Sequence, residues 1–437
     1  MLTKLKKIIS LDNPFRLFYH LIKAVLANII YQFPSKKMVI IWVTWTNWKT
    51  TTTNIIARWL KASWKKIFMF STLNYFIWDK EYKNDTKMTS PDPFLLQNLI
   101  YEAKKQWCEI AVIETSSHAI LMNRIWWIEY DIAVLTNITR DHLDLHKTMD
   151  NYVKTKLKLF KNLISSSRKP KIKKTAIINS DSNYKDLFLA ETYDNLTTYW
   201  FDFNSNLRPI NIKNSIDFTT FDVKIPDNIL SIKTHLRWNF NIYNILWAIW
   251  VFLSLWIKPK IIQDSIEKIN IIPWRLEEVK NIEWYKIFID YAHTPDAIEN
   301  VLKTIKEIEG IWKIITVFGA TWDRDKQKRP IMWQIASELS DIVILTEDDN
   351  YSELIEDIIK DIIPWIERKE SDDFWIIKDR EDAIRTALIK AEKNDIVLIL
   401  WKWDESVIVR NDWIHKYNDR QIVEKILKEI DDNKIIT

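Results

Sequence analysis

Residues 42–50 have the polar pattern of a phosphate-binding loop, but tryptophan stands where such loops carry glycine. The segment reads Trp-Val-Thr-Trp-Thr-Asn-Trp-Lys-Thr. In a phosphate loop, Lys49 would reach the terminal phosphates of a nucleotide, Thr50 would bind Mg²⁺, and the following helix would offer its N-terminus to the anion. Glycine is required because its backbone N–H groups must approach the phosphates, and an indole ring would fill the anion's space.

The composition shows the same replacement along the chain. The 437 residues include 24 tryptophans and 2 glycines, although a soluble protein of this length should contain roughly 30 glycines at the usual ~7%. We therefore interpret most tryptophans as glycines of the natural protein, encoded by UGA in a code where UGA specifies glycine. The alternative is a genuinely Trp-rich protein with a dead loop. Trp59, inside a helical run, is a candidate for a true tryptophan, whereas Trp64 follows a helix.

The positions expected to be glycine lie at turns, loops or caps within the motifs described here. They are Trp42, Trp45, Trp48, Trp238, Trp274, Trp322, Trp401 and Trp403.

Two more polar segments follow apolar runs. Residues 114–118 read Glu-Thr-Ser-Ser-His, and residues 136–144 read Thr-Asn-Ile-Thr-Arg-Asp-His-Leu-Asp. Both are expected at the C-terminal ends of strands, where α/β proteins bind ligands. Carboxylate and imidazole groups are reasonable ligands for a magnesium site, although Mg²⁺ prefers oxygen. Taken alone, each histidine is more typical of a solvated or hydrogen-bonded loop residue.

Strands and helices must alternate to position these segments. Strands are predicted at 38–43, 111–114, 132–136 and 176–179, and helices at 51–61, 92–105 and 150–163. This alternation predicts a mostly parallel sheet covered by helices. Residues 196–234 predict smaller antiparallel strands, and helices at 240–255 and 259–269 close the domain.

The alternation restarts after residue 274, with strands predicted at 286–290, 314–318, 342–346 and 396–400. The chain is therefore an α/β protein. We expect a short helical segment at 1–37, a central P-loop ATPase-like domain at 38–271 and a Rossmann-like α/β domain at 272–437.

The charge balance and the N-terminus limit the partners. The net charge is +4 with acids and bases mixed, so no nucleic acid is required. Cys108 is the single cysteine and lies in an apolar run, which fits a buried thiol in a cytoplasmic protein. Residues 15–33 predict a helix too short and too charged to span a bilayer. Either it packs on the next domain, which we favour, or it is a basic helix at a membrane surface.

Five motifs together resemble the Mur ligase family, in its branch that extends a muramoyl peptide. They are residues 45–50 with glycine restored, 114–118, 137–144, 290–296 and 323–330. The motifs occur in the family's order and spacing, and the resemblance covers roughly residues 38–437. It implies an ATP-dependent, ADP-forming amide ligase of peptidoglycan synthesis in the cytoplasm, most simply a monomer, that binds ATP, two Mg²⁺ ions, a muramoyl-peptide nucleotide and an amino acid.

The resemblance also implies roles for individual residues. ATP would be bound by Trp45, Thr46, Asn47, Trp48, Lys49, Thr50, Thr51, Asn241, Asn244, Arg275 and Asp290. Metal ligands would be Thr50 and Glu114 for the first ion, with His142 and a carbamylated Lys156 for the second. From its local sequence alone, Lys156 would be read as a solvated helix charge.

Substrate contacts are implied in the same way. The muramoyl peptide would be held by Thr89, Ser90, Ser116 and Arg124, and the acceptor amino acid by Arg324, Asp348, Asp349 and Glu405. ATP would phosphorylate the terminal carboxylate of the peptide, and an amine would attack the acyl phosphate to form the amide. Lys49, Glu114, His142 and Lys156 are the residues expected to serve catalysis.

Two departures from the family pattern affect substrate recognition. Family members begin with a separate domain of about a hundred residues that grips the uridine diphosphate, whereas 37 residues precede the first strand here. Tyr351 stands where diaminopimelate-adding members have an arginine. An acceptor without a distal carboxylate, most plausibly lysine, is therefore expected in place of meso-diaminopimelate, with Asp348, Asp349 and Glu405 attracting its distal ammonium.

Two alternative functions remain. The first is a related ligase acting on another carboxylate, such as a folylpolyglutamate or glutamyl-polymer synthetase. The second is a scaffold unable to bind nucleotide, which requires that the tryptophans be genuine.

Overall fold

The chain divides into two compact units, residues 1–272 and 273–437. The computed structural model describes residues 13–44, 49–86, 88–135, 138, 143–199, 207–214, 218–225, 228–236, 239–268, 276–281, 284–290, 292, 294–306, 310, 312–319, 328–349, 355–363, 373–402, 407–410 and 414–436.

Strands and helices alternate through unit 1, as the sequence predicts. The strands are β1 (Val39–Thr44), β2 (Ile67–Phe70), β3 (Asn74–Ile77), β4 (Lys80–Lys83), β5 (Ile110–Thr115), β6 (Ile132–Leu135), β7 (Thr175–Asn179), β8 (Asn195–Tyr199), β9 (Arg208–Asn214), β10 (Thr219–Ile225) and β11 (Asn228–Thr234). The helices are α1 (Pro14–Ile30), α2 (Lys49–Ala62), α3 (Pro93–Lys105), α4 (Ser117–Leu121), α5 (Leu143–His146), α6 (Met149–Ser165), α7 (Lys185–Leu189), α8 (Asn239–Ser254) and α9 (Pro259–Glu267).

The main sheet of unit 1 has the strand order β4-β3-β2-β5-β1-β6-β7-β8. Strands β2, β5, β1, β6, β7 and β8 are parallel, and β3 and β4 form an antiparallel edge. Ile41 and Val43 belong to an apolar cluster with α2 and α8, whereas Ile40 and Trp42 belong to another with α3 and α6. Because successive strand side chains point to opposite faces, the sheet is covered by helices on both sides.

The segment predicted to form smaller antiparallel strands does so. Strands β9, β10 and β11 pair antiparallel in the order β11-β10-β9. Their inward side chains, among them Phe221, Val223 and Ile232, join the apolar cluster that covers α2 and α8. This small sheet therefore extends the core on the α2 side of the main sheet.

The register of β1 and β5 defines the edge that carries the candidate site. Val43 pairs with Glu114 and Thr44 pairs with Thr115 at the C-terminal ends of the two strands. After β1 the chain continues to β2 on one side of this pair, and after β5 it continues to β6 on the other side. Such a reversal opens a crevice at the strand ends, where ligands of α/β proteins bind.

Unit 2 repeats the alternation around a second sheet. Its strands are β12 (Glu277–Val279), β13 (Lys286–Asp290), β14 (Ile314–Gly319), β15 (Ile342–Thr346), β16 (Phe374–Ile376), β17 (Ile396–Leu400), β18 (Val407–Val409) and β19 (Ile414–Lys416), and its helices are α10 (Pro295–Lys306), α11 (Lys328–Leu339), α12 (Ile355–Ile362), α13 (Arg380–Lys390) and α14 (Asp419–Ile436). The main sheet has the order β12-β13-β17-β14-β15-β16, parallel except for β12. The expected α/β class is thereby confirmed.

Three helices end with a tryptophan in the left-handed conformation. Trp64, Trp107 and Trp256 follow α2, α3 and α8 with φ of 67°, 63° and 60°. At each end the next residue donates its N–H five residues back, as Lys65 does to the Leu60 carbonyl at 3.2 Å and Cys108 does to the Ala103 carbonyl at 3.0 Å. This is the Schellman motif, whose left-handed position is usually glycine because a Cβ is disfavoured there.

One expected glycine position is not a turn, loop or cap. Trp42 lies inside β1, fully buried, with its ring edge-on to Tyr130 at a centroid distance of 4.3 Å. Its indole N–H finds no hydrogen-bond acceptor among the described residues. The expectation about its local structure was wrong because the strand extends two residues beyond Trp42, to Thr44.

Candidate active site

Glu114 is the centre of the polar cluster at the C-terminal edge of the main sheet. Its side chain is buried at the end of β5, with 1% exposure. Thr50 Oγ1, in the first turn of α2, donates to Glu114 Oε2 at 3.0 Å. The Thr72 backbone N–H donates to the same oxygen at 2.7 Å, and Thr72 Oγ1 donates to Oε1 at 3.0 Å. The carboxylate therefore joins the start of α2 to the loop after β2.

The residues expected to hold the muramoyl peptide lie around the same carboxylate. Thr72 Oγ1 lies 2.9 Å from Thr89 Oγ1 and can accept a hydrogen bond from that hydroxyl. Ser90 Oγ, which is buried, accepts from the Ser116 N–H at 3.2 Å and lies 3.5 Å from the Glu114 carbonyl oxygen. The structure thus brings three of the four residues of that set beside Glu114 and Thr50, although they lie far apart in sequence.

The electrostatics of Glu114 suit a cation. Burial raises the pKa of this carboxyl, and the charge of Lys49 and the hydrogen bonds from Thr72 and Thr50 oppose that rise. A buried carboxylate 3.0 Å from a threonine hydroxyl offers the oxygen donors that Mg²⁺ prefers. Thr50 and Glu114 therefore fit the first of the two implied magnesium sites, and a bound cation would stabilise the ionised carboxylate.

Lys156 lies on α6 and is fully buried, so a solvated charge is excluded. Its Nζ lies 4.7 Å from the centroid of the Tyr152 ring, and that ring contacts His146 at 5.1 Å between centroids. His146 Nε2 in turn lies 3.0 Å from Ser117 Oγ. This chain of contacts links the surroundings of Lys156 to the segment that follows Glu114.

His146 and Tyr152 were missed by reasoning from the sequence. His146 is buried at the end of α5, four residues after His142. That four-residue spacing was the available signal, because such residues share one face of a helical turn. Neither residue belongs to a motif that the sequence analysis singled out for chemistry.

Asn241 and Asn244 on α8 support the helix that starts with Lys49. Thr52 Oγ1 donates to Asn244 Oδ1 at 2.9 Å, and Asn244 Nδ2 donates to Asn241 Oδ1 at 3.1 Å. Asn244 is fully buried and Asn241 is 7% exposed. Asn241 is therefore the more accessible of the two residues expected beside the adenine. Thr51, also expected at the nucleotide, is buried in α2.

Arg124 lies beside the end of α4 and near charged residues of α1 and the α3 cap. It follows α4, and its N–H donates to the Ala119 carbonyl at 3.0 Å. Burial lowers the pKa of the Arg124 guanidinium, the charge of Asp92 raises it, and Arg16 on α1 lowers it. This fourth residue of the substrate set is thus near α1 and the residue that caps α3.

In unit 2, Asp290 is buried at the end of β13, as expected for a ligand-binding strand end. Asp290 Oδ2 accepts from the Leu276 N–H at 2.8 Å. The carboxylate therefore fixes the backbone next to Arg275, its expected partner at the nucleotide.

The acids expected to attract an acceptor's ammonium are already paired. Lys402 Nζ lies 2.6 Å from Asp349 Oδ1 and 3.4 Å from Asp348 Oδ1, and both Lys402 and Asp348 are buried. Asp349 Oδ1 also accepts from the Val409 N–H at 2.7 Å, while burial raises the pKa of Asp348. Lys402 therefore offsets one of the two carboxylate charges, which weakens the electrostatic argument for lysine at these two acids.

Several expected site residues lie outside the described residues. They are Trp45, Thr46, Asn47, Trp48, His142, Arg275, Arg324 and Glu405, together with Tyr351 and the expected glycine positions 238, 274, 322 and 403.

Replacing Glu114 by glutamine is expected to stabilise the metal-free and ATP-free protein. The raised pKa of Glu114 means that the folded state binds a proton more readily than the unfolded state, so its contribution to stability is lost as pH rises from the unfolded pKa through the folded one. Glutamine removes that loss and can keep the bonds to Thr72. Urea unfolding at pH 5 to 8 should show a gain on the order of 1 kcal/mol at neutral pH and a flatter pH profile.

The exposed Glu267 at the end of α9 supplies the matched control. Glu267→Gln should leave both the stability and its pH profile unchanged. A loss of stability in Glu114→Gln at neutral pH would contradict the electrostatic account.

Comparison with known proteins assigns the two units. The Mur ligase middle domain model matches residues 43–252, and the Mur ligase glutamate ligase domain model matches residues 274–400. The UDP-N-acetylmuramoyl-L-alanyl-D-glutamate–2,6-diaminopimelate ligase 1 of Clostridium acetobutylicum is 34% identical over 410 residues, which cover 93% of this chain and 82% of the relative. The corresponding ligase of Fusobacterium nucleatum is 36% identical over 405 residues, covering 92% and 79%.

Solved structures agree with this assignment. A UDP-N-acetylmuramoyl-L-alanyl-D-glutamate–2,6-diaminopimelate ligase matches with a TM-score of 0.63 and 27% identity, covering 90% of this chain and 79% of the other. Folylpolyglutamate synthase of Mycobacterium tuberculosis matches with a TM-score of 0.70, covering 87% and 92%, but at 15% identity this likeness shows the fold alone. The chain belongs to the Mur ligase family.

Proposed function

We propose that the protein is a cytoplasmic, ATP-dependent ligase that joins a diamino acid to UDP-N-acetylmuramoyl-L-alanyl-D-glutamate, releasing ADP and phosphate. The observation that carries this proposal is the Glu114 cluster. One buried carboxylate contacts Thr50, at the start of the phosphate-loop helix, and Thr72, whose hydroxyl reaches Thr89. A donor nucleotide and a peptide carboxylate bound to these elements would therefore meet at one strand edge. Relatives at 34% to 36% identity carry this activity in their names.

The reaction needs positioning and charge neutralisation more than a protein nucleophile. The terminal carboxylate of the peptide attacks the γ-phosphorus of ATP, the bond to the β-phosphate oxygen breaks, and ADP leaves. The acceptor amine then attacks the acyl phosphate, and the tetrahedral intermediate expels phosphate and a proton to give the amide. Lys49 neutralises charge that spreads over the transferring phosphoryl group. Bound Mg²⁺ would supply further neutralisation at the oxygens of Thr50 and Glu114.

Lys156 is proposed to act as a carbamate. A fully buried ammonium is costly, whereas a neutral amine can add CO₂ and release one proton to give a carbamate anion able to bind a cation. The placement of Lys156 beside Tyr152, and through His146 beside the segment after Glu114, supports this role. His142 would share the second magnesium ion with that carbamate.

Removing the lysine tests this role. In the glycine-restored protein, Lys156→Ala should lower kcat on the order of 100-fold, and formate should restore a substantial part of it by standing in for the lost carboxylate. Lys158→Ala, on the exposed side of the same helix, is the control and should keep full activity. Full activity of Lys156→Ala without formate would exclude the proposed role.

We also propose that most tryptophans are glycine in the natural protein. Trp64, Trp107 and Trp256 occupy left-handed helix ends that favour glycine, and all three rings are exposed. Trp401, which directly follows β17 and precedes Lys402, has a φ of 91°. Asn123, with φ of 54°, ends α4 in the same way, and asparagine is the residue used there when glycine is not. An active phosphate loop requires the same replacement at positions 45 and 48.

Two measurements decide the identity of these residues. Peptide mass spectrometry of the native protein should find glycine at positions 45, 48, 64, 107 and 256. In recombinant protein, Trp107→Gly should raise the free energy of unfolding by about 1 kcal/mol. Trp312→Gly is the control, because Trp312 is equally exposed but has no positive φ, and it should bring no gain. Tryptophan mass at positions 45 and 48 would refute both the recoding and the ligase activity.

The acceptor is proposed to be 2,6-diaminopimelate. The relatives act on it by name, and Lys402 offsets one of the two carboxylate charges of Asp348 and Asp349, on which the expectation of lysine partly depended. Tyr351 replaces the family arginine, so another cation must meet the distal carboxylate.

A ligation assay with the glycine-restored protein tests both the activity and the acceptor. With ATP, Mg²⁺ and UDP-N-acetylmuramoyl-L-alanyl-D-glutamate, kcat/KM for meso-diaminopimelate should exceed that for lysine at least about tenfold, a discrimination worth about 1.4 kcal/mol. A preference for lysine would overturn the acceptor assignment and leave the ligase activity intact. Failure to form an amide product with either amino acid would overturn both.

A further inference from the structure

Helix α1 carries a continuous apolar face that the rest of unit 1 does not cover. Seven apolar or aromatic side chains on it are between 42% and 84% exposed, namely Phe15, Phe18, Tyr19, Ile22, Leu26, Ile29 and Ile30. They recur at intervals of three and four residues and therefore lie on one side of the helix. We call these seven residues the α1 face.

The opposite side of α1 is firmly attached to unit 1. Ala24, Ala27 and Asn28 are buried, and Asn28 Nδ2 donates to the Trp126 carbonyl at 2.9 Å. Lys23 forms an ion pair with Asp92, the residue that caps α3. Asn13 caps the start of α1 by accepting from the Phe15 N–H at 3.0 Å. The helix thus already has its core contact, and the α1 face is a second, separate surface.

The charge around α1 differs from that of the rest of the protein. The first 37 residues contain seven lysines and arginines and one acid, Asp12, for a net charge of +6, whereas the whole chain carries +4. The remaining 400 residues are therefore slightly acidic. Arg16 and Lys23 lie on α1 itself, and Lys36 and Lys37 end the short 3₁₀ helix Pro34–Lys37 that follows. An apolar face within such a basic segment is complementary to an anionic lipid surface.

We propose that α1 docks unit 1 onto the surface of an anionic bilayer, with the α1 face at the level of the lipid headgroups. Among the described residues, no helix is long and apolar enough to cross a membrane, so the contact is peripheral. A second copy of the chain is a weaker candidate, because a two-fold contact through this face would bring two segments of +6 together.

The docked helix is adjacent to the proposed peptide-binding segment. Lys23 holds Asp92, which directly follows residues 89–91 in sequence. The inference does not depend on the ligase activity. It is also independent of the tryptophans, since α1 contains none.

Vesicle sedimentation of the full chain tests the proposal. Binding to vesicles of phosphatidylglycerol and phosphatidylethanolamine should be strong at low salt, should weaken as salt screens the charges, and should be at least about tenfold weaker on phosphatidylcholine. Phe18→Ser combined with Ile22→Ser should lower the partition coefficient at least about tenfold. Ile229→Ser combined with Ile389→Ser, which changes two exposed isoleucines elsewhere, should leave it unchanged.

A spectroscopic variant guards against misfolding of the serine variant. An environment-sensitive dye on Tyr19→Cys should shift to the blue when anionic vesicles are added, and the same dye on Ile389→Cys should not. Cys108 is buried and is not expected to compete for the label. Absence of the shift together with unchanged sedimentation of the serine variant would overturn the proposal. Concentration-dependent dimerisation abolished by the same two serines would overturn it as well, and would assign the α1 face to self-association.

Discussion

The arrangement of unit 1 depends on one buried carboxylate at the edge of a parallel sheet. Glu114 can be placed there only because the Thr72 backbone and the hydroxyls of Thr50 and Thr72 satisfy both of its oxygens. The same bonds fix the start of α2 and the loop after β2 relative to each other. A charged group that is costly to bury thus becomes the element that organises the site, and the proposed role of Glu114 in binding a cation gives a reason for that cost.

Unit 2 meets the same constraint with a different solution. Its buried acids Asp348 and Asp349 share one cation, Lys402 from the next strand end, and burial raises the pKa of Asp348. Nearby, Arg380 is fully buried between Asp419, which accepts at 2.9 and 2.7 Å, and the Leu400 carbonyl. In these cases the partner comes from the chain itself and no ligand is required for stability. Buried charge alone therefore does not mark a ligand site. In unit 2 the buried charges have charged partners from the chain itself, whereas for Glu114 in unit 1 the proposed partner is a bound cation.

The sequence predicts the elements well and the buried side chains poorly. Strands such as Lys286–Asp290 and Ile396–Leu400 are apolar runs of strand length, and their bounds agree with the structure. Lys156 lies four residues after Tyr152, so helical periodicity places it on the buried face of α6. Its residue type, and not the pattern, favoured a solvated charge. The pairing of Lys402 with Asp349 joins residues 53 positions apart, so the net charge of that site was not accessible from the local motif. That pairing is a tertiary contact, which strand and helix patterns do not encode.

The tryptophans separate backbone information from side-chain information in an unusual way. Although the chain has 2 glycines, three of its helices still end with a residue in the left-handed conformation. Flanking apolar residues and the Schellman hydrogen bond, from an N–H to the carbonyl five residues earlier, define those ends. The rings of Trp64, Trp107 and Trp256 are largely exposed, so an indole contributes little packing at these helix ends. Trp42 and Trp59 instead lie in the interior with indole N–H groups that meet no acceptor among the described residues. Local backbone geometry therefore argues for glycine at the helix ends independently of any motif. The assignment of glycine at position 42, in the interior, rests instead on the phosphate-loop motif.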